Sequence, residues 1–75
     1  MKIEVLGTGC TKCQALYENV KKAVAKKGVF AQIEKVEDIV TIMEYGVVNT
    51  PALVINKEVK SSGKLLKPDE IEKFL

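Results

Sequence analysis

The sequence predicts an α/β protein in which a four-stranded mixed sheet is flanked by three helices, in the order β-α-β-α-β-β-α. Three patterns predict this class. Polar and apolar residues alternate from Lys2 to Leu6, the apolar period lengthens to three and four residues after Gly9, and a continuous apolar run follows Pro51. The first strand-helix-strand unit implies parallel pairing, and the last two strands form a hairpin. We expect a single domain over residues 1–75.

The first strand, Lys2 to Leu6, should place Ile3 and Val5 on one face and leave Glu4 facing outward. Gly7-Thr8-Gly9 ends it. A helix follows from Cys10, since apolar residues recur on one of its faces: Cys13, Leu16, Tyr17, Val20, Ala23 and Val24. Gly28 is placed to end this helix, because glycine adopts the left-handed conformation common at helix C-termini.

A second strand is predicted from Val29 to Val36, with Phe30, Ile33 and Val36 as its apolar residues. Asp38 should then cap a short helix that ends at Tyr45-Gly46. That helix is expected to turn three apolar side chains inward: Ile39, Ile42 and Met43.

The run Ala52 to Ile55 predicts a central strand that is covered on both faces. Asn56-Lys57 forms a tight turn into the strand Glu58 to Lys60, which Ser61-Ser62-Gly63 ends or bulges. Pro68 suits the first turn of a final helix. The inward face of that helix should consist of Ile71, Phe74 and Leu75.

Composition excludes several classes of function. The net charge is only +2 and there is no tryptophan, so we expect no nucleic-acid partner. No segment approaches the roughly 20 apolar residues that a membrane-spanning helix needs. The N-terminus lacks the long apolar core of a signal peptide, so we expect a cytoplasmic protein without a membrane partner. We also expect a monomer.

The two cysteines, Cys10 and Cys13, carry the chemistry. In a reducing cytoplasm, cysteines this close are more often catalytic or metal-binding than structural. Cys10 precedes the helix, whose N-terminal dipole stabilises a thiolate, so its pKa should be lowered and it should act as the nucleophile. Cys13 should face the core and resolve the mixed disulfide. The spacer Thr11-Lys12 adds positive charge, and Gly7 and Gly9 allow the sharp turn that keeps Cys10 accessible.

Spacing alone leaves alternatives open. The pair could be buried thiols without a role, or part of a zinc site, although zinc needs four ligands and the chain has two cysteines and no histidine. A soft-metal carrier is the main rival, because thiolate pairs favour Cu(I) and heavy-metal-associated domains also place Cys-x-x-Cys between a first strand and a first helix. A redox sensor without turnover is a third possibility.

The segment from Tyr45 to Ile55 resembles the thioredoxin family, in which a helix end is followed by an x-Pro pair and an apolar strand. The helical spacing from Glu37 to Tyr45 also favours this family over the heavy-metal domains. More narrowly, Gly7-Thr8-Gly9-Cys10-Thr11-Lys12-Cys13 is similar to the opening of small archaeal and bacterial thioredoxin-like proteins of the redox-active disulfide protein 2 type, which are the size of glutaredoxins.

The resemblance implies a thioredoxin-like fold and a dithiol/disulfide oxidoreductase. It implies that Pro51 is cis, that the backbone of Thr50 pairs with substrate, and that Gly63 keeps the sheet edge open beside the cysteines. Protein disulfides would be the substrates and a disulfide reductase the electron donor. The Cys10–Cys13 disulfide would be the redox centre, with no cofactor and no metal. Gly9 stands where thioredoxins usually carry tryptophan, and the first strand has no aspartate to act as a buried proton acceptor.

Overall fold

The structure, a computed structural model, describes residues 1–9 and 11–75. It contains the predicted order of elements: β1 Lys2–Leu6, α1 Thr11–Lys27, β2 Gln32–Val36, α2 Ile39–Glu44, β3 Ala52–Ile55, β4 Glu58–Ser62 and α3 Pro68–Glu72. The strands form one mixed sheet in the order β2-β1-β3-β4. The predicted α/β class and element order are therefore confirmed.

Strand β1 lies at the centre of the sheet. It pairs in parallel with β2 and antiparallel with β3, and Leu6 lies opposite Ala52 in the second ladder. Strands β3 and β4 form the predicted hairpin, in which Asn56 and Lys57 have φ values of 50° and 69°. Because both turn residues have positive φ, the turn matches the twist of the two strands. A register shift in the β3–β4 ladder places a bulge in β4.

Apolar side chains cover both faces of this sheet. On one face, Ile3 and Val5 pack with buried residues of α1 and α3, among them Leu16 and Ile71. On the other face, Leu6 belongs to a smaller cluster beneath α2, whose other buried members are Ile42, Val47, Ala52 and Val54. Helix α1 therefore lies on one side of the sheet and α2 on the other. Within the described residues, no helix is both long enough and apolar enough to cross a bilayer.

Three apolar side chains that the sequence pattern placed inside lie largely in solvent. Phe30 is 99% exposed, because β2 begins at Gln32 rather than at Val29 and Phe30 belongs to the preceding loop. Ile39 and Met43 of α2 are 60% and 68% exposed. Helix α2 has only six residues and buries Ile42 alone, so the predicted inward face of this helix was too wide.

The C-terminal helix shows a smaller difference of the same kind. Ile71 is fully buried, as predicted, and Leu75 packs against the same core. Phe74, however, is 39% exposed. Helix α3 ends at Glu72, and of the two apolar residues that follow it, Leu75 packs against the core cluster and Phe74 does not.

Glu4 corrects a further prediction, because its side chain is buried rather than outward-facing. It is 5% exposed and accepts a hydrogen bond of 2.7 Å from the Tyr45 hydroxyl to its Oε1 atom. In a central strand with helices over both faces, neither face points to solvent. Burial of the carboxylate is compatible with folding because a polar partner meets it there.

Candidate functional site

The sheet register brings together two chain segments that are far apart in sequence. Leu6 and Ala52 are paired at one end of the β1–β3 ladder. Gly7 directly follows the first of these residues and Pro51 directly precedes the second. Gly7 stays attached to the sheet through a hydrogen bond of 2.9 Å from its N–H to the carbonyl of Val36. The turn Gly7-Thr8-Gly9 (the glycine turn) and the loop that contains Thr50 and Pro51 (the proline loop) are therefore neighbours at one end of the two central strands.

Cys13 is buried against Gly7 at this end of the central strands. It is in the first turn of α1 and is 5% exposed, on the same helix face as Leu16 and Val20. Its side chain touches the backbone of Gly7 so closely that a Cβ atom at position 7 would overlap the sulfur. The same Cβ would lie 3.9 Å from Cβ of Thr50. The fold thus brings Gly7, Cys13 and Thr50 together around one point, and only glycine fits at position 7.

The proline loop forms the other side of the site. The peptide bond between Thr50 and Pro51 is cis, the configuration that the family resemblance implies. Pro51 is buried, whereas Thr50 is exposed. Gly63, at the end of β4, donates a hydrogen bond of 2.8 Å to the carbonyl of Pro51. Its φ of +72° and the approach of Asn49, which would lie 3.0 Å from an added Cβ, both restrict this position to glycine.

The remaining described residues that were predicted for the site are exposed. Gly9 lies between β1 and α1, and Thr11 and Lys12 are the first two residues of α1. Gly9 has a φ of +82°, which glycine adopts without steric cost. Cys10 lies outside the described residues, so its predicted role as the nucleophile remains a prediction.

A cavity of about 260 Å³ opens beside Cys13 between α1 and β2. Besides Cys13 and the glycine turn, its walls include Gln14, Lys35 and Glu37. The sequence pattern did not identify these three residues, because they come from different elements and carry no motif. The Lys35 ammonium lies 4.7 Å from the centre of the Tyr17 ring. Within residues 1–9 and 11–75, no three histidine, cysteine or acidic side chains form a cluster that could hold a metal ion.

The buried pair Glu4 and Tyr45 connects β1 to the residue that ends α2. The hydrogen bond to Glu4, assisted by burial and by the carboxylate charge, raises the pKa of Tyr45 from 10.0 to about 12. Tyr45 therefore remains a neutral hydrogen-bond donor across the physiological range. The aromatic residue of the Tyr45-Gly46 helix end thus has a polar partner in β1, which the sequence pattern did not indicate.

Comparison with known proteins decides the family. A family model described as a thioredoxin domain matches residues 1–75, which is the whole chain. The chain belongs to the thioredoxin family. It is 39% identical over 75 residues to a thioredoxin of Methanothermobacter thermautotrophicus. That alignment covers 100% of this chain and 97% of the relative. It is 42% identical over 73 residues to a thioredoxin of Methanocaldococcus jannaschii. This second alignment covers 97% of this chain and 84% of the relative.

Membership of the thioredoxin family identifies the chain as a small thioredoxin-like redox protein with the corresponding α/β fold. In general terms, disulfide substrates and a reductase as partner belong to that family. The motif around Tyr45-Gly46 and Pro51 thus pointed to the right family, although Gly9 replaces the usual tryptophan.

Proposed function

We propose that the chain is a dithiol/disulfide oxidoreductase that exchanges disulfides with partner proteins through Cys10 and Cys13. The observation that carries this proposal is the position of Cys13, buried against Gly7 and beside the exposed Thr50, in a chain of the thioredoxin family. A sulfur at the floor of an open edge suits a resolving thiol, which must reach a neighbouring cysteine while staying out of reach of large partners.

The proposed cycle has two exchange steps. The Cys10 thiolate attacks one sulfur of a partner disulfide, forms a mixed disulfide with it, and releases the partner's other sulfur as a thiolate. The Cys13 thiolate then attacks the Cys10 sulfur, which breaks the mixed disulfide and releases the second partner thiolate. Two electrons have passed to the partner, and Cys10 and Cys13 are left as a disulfide. A disulfide reductase returns the two electrons, so the cycle needs no bound cofactor.

Elements around the site support the roles of the individual residues. Cys10 directly precedes Thr11, the first residue of α1, and a helix N-terminus favours thiolate over thiol. Lys12, exposed in the same turn, adds positive charge. Within the described residues, the Thr50 backbone makes no hydrogen bond to other backbone groups, so it is available to pair with an extended substrate segment. We place this cycle in the cytoplasm, where reductases keep such pairs reduced.

A trapping experiment tests whether Cys10 is the nucleophile and Cys13 the resolving cysteine. The Cys13→Ser variant should accumulate mixed disulfides on Cys10 when it is mixed with an oxidised model peptide, and mass spectrometry should locate the bond. The matched Cys10→Ser variant should trap little, because the remaining sulfur is buried. Accumulation of adducts on Cys13 in that second variant would show that the roles are reversed.

Two further measurements test the chemistry itself. The reduction potential of the pair, measured by thiol labelling in dithiothreitol buffers, should give the direction: about −270 mV indicates a reductant and about −120 mV an oxidant. Titration with Cu(I) and Zn(II) tests the metal-carrier alternative. Tight one-to-one metal binding, together with no reduction of any disulfide, would overturn the oxidoreductase proposal.

A further inference from the structure

A cavity of about 300 Å³ lies between β4 and α3. We call it the β4–α3 cavity. Its apolar walls are formed by Leu66, which is 7% exposed, and by Phe74, which is 39% exposed. None of the described residues assigned to the candidate redox site lines it. The cavity is therefore a separate site, and its role does not depend on disulfide exchange.

The charged side chains of this cavity have an excess of two positive charges. Three lysines, Lys60, Lys64 and Lys73, line it together with the single carboxylate of Glu70. Lys64 and Lys73 form no ion pair with any residue that the structure describes. Glu70 accepts a hydrogen bond of 3.0 Å from the Lys67 N–H, so its carboxylate is engaged at the start of α3. An anion that enters the cavity therefore meets lysines that lack a counter-charge.

A buried hydroxyl beside the cavity has no partner. The Oγ atom of Ser61 is almost inaccessible to solvent and makes no hydrogen bond within the described part of the chain. Nearly all buried polar groups in proteins are hydrogen-bonded, and one that is not costs free energy. Because Ser61 is among the residues that line the cavity, we expect the missing partner to be a polar group bound there.

These features define the chemistry of the ligand. We propose that the β4–α3 cavity binds a small phosphate monoester that carries a flat ring, such as a nucleoside monophosphate. A phosphate monoester has close to two negative charges at pH 7, which matches the excess on the lining. Lysine ammonium groups bind phosphate as point charges, and the Ser61 hydroxyl, after rotation about χ1, donates to a phosphate oxygen. The ring stacks on the exposed part of the Phe74 ring.

Size and charge favour this ligand over an acidic protein segment. Small-molecule sites measure about 300–1,000 Å³, so this cavity holds one small molecule rather than an extended chain. The Lys60 ammonium already lies 3.4 Å from the carboxylate of Glu58, which is 74% exposed. Another single carboxylate would gain little, because exposed ion pairs of this kind contribute little. A phosphate offers three acceptor oxygens to several donors at once.

The test is calorimetric titration of the full chain with three related compounds. They are adenosine monophosphate, ribose phosphate, which lacks the base, and adenosine, which lacks the phosphate. We expect adenosine monophosphate to bind about tenfold more tightly than either, because each of the other two lacks one set of contacts. Its affinity should fall with added salt. The proposal fails if the three compounds bind equally or if none binds. An oligoglutamate peptide that binds more tightly would overturn it in favour of an acidic protein segment.

Lysine variants show whether the attraction is local to the cavity. Lys64→Gln and Lys73→Gln should each weaken the binding of adenosine monophosphate about fivefold, because each removes a charged donor. Lys57→Gln is the matched control. Lys57 is exposed, forms no ion pair within the described residues and does not line the cavity. Equal weakening in the control would show diffuse attraction to a basic surface and would contradict a defined site.

A phenylalanine variant tests the contact with the ring. Phe74→Leu should reduce the advantage of adenosine monophosphate over ribose phosphate, because the stacking partner is lost. Phe30→Leu is the control, since Phe30 is 99% exposed and lies outside the cavity. It should leave that advantage unchanged, and the same change in both variants would refute stacking on Phe74.

Ser61→Ala provides a signature that a purely structural role would not produce. Removal of a buried hydroxyl that has no partner should leave the free energy of unfolding unchanged or raise it. The affinity for adenosine monophosphate should nevertheless fall several-fold. A loss of stability with unchanged affinity would mean that the hydroxyl serves the fold alone, and the proposed phosphate contact would be wrong.

Discussion

The hydroxyl of Tyr45 donates a hydrogen bond of 2.7 Å to Glu4 and thereby connects the central strand to the end of α2. We predict that Tyr45→Phe lowers the free energy of unfolding by about 1–3 kcal/mol, because it leaves a buried carboxylate without its donor. Urea denaturation measures the change. Tyr17→Phe is the matched control: within the described residues the Tyr17 hydroxyl makes no hydrogen bond, so its removal should cost less than about 0.5 kcal/mol. Equal losses in both variants would contradict this account.

The same hydrogen bond predicts a pH dependence in alkali. The pKa of Tyr45 is raised from 10.0 to about 12, so its contribution to stability is complete below pH 10 and is lost as the pH rises through about 12. In a Tyr17→Phe background, the absorbance of the remaining tyrosinate should rise with a midpoint near 12. Adding Glu4→Gln should shift that midpoint downward, because the charged acceptor is removed. An unchanged midpoint would show that Glu4 is not the cause.

Helix α2 offers a test of burial at two isoleucines three residues apart. Ile42 is 3% exposed and Ile39 is 60% exposed. We expect Ile42→Ala to lower the free energy of unfolding by about 2–5 kcal/mol, because it leaves a cavity in the core. Ile39→Ala should change it by no more than about 0.5 kcal/mol. Thermal or urea denaturation distinguishes them, and a large loss at Ile39 would mean that α2 packs on a wider face.

Gly7 should be intolerant of any side chain, because a Cβ there would overlap the Cys13 sulfur. We predict that Gly7→Ala costs about 1–3 kcal/mol of stability, as for overpacked cores. It should also slow disulfide exchange with a model peptide. Gly28→Ala is the control, since nothing lies within 4 Å of its added Cβ and only its φ of +74° is unfavourable. That control should lose stability without changing the exchange rate; if both variants exchange at the same rate, Gly7 does not position the sulfur.

Apolar spacing, together with the continuous run of β3 and the glycine and proline breaks, was enough to predict the order of elements, because these features depend only on neighbours in sequence. It failed where burial depends on neighbours that are distant in sequence. Glu4 has the alternation of an outward-facing residue, but β1 is central and α2 covers that face. Ile39 and Met43 have helical spacing, but α2 is too short to bury more than Ile42.

Some residues of the candidate site could likewise be predicted from the sequence and others could not. Cys13, Thr50 and Pro51 were identified from local motifs, since their chemistry depends on residue type and spacing. Lys35 and Glu37 carry no motif, and they were recognised only in the folded chain, where they line the cavity beside Cys13. The Gly9 position shows how far the family pattern reaches: it predicts the turn, but not what replaces the missing tryptophan.

The pair Leu6 and Ala52 marks the end of the β1–β3 ladder at which the candidate site lies, and the opposite end of the sheet carries none of the predicted site residues that the structure describes. The first turn of α1, which carries Cys13, and the loop that carries Thr50 lie at one end, whereas the Asn56–Lys57 turn and the Phe30 loop lie at the other. A fused domain, a fluorescent label or a surface linker attached at the second end would leave the first end facing solvent. A small thioredoxin-like chain attached to a larger protein through its Asn56–Lys57 turn would therefore keep its candidate site accessible to substrates.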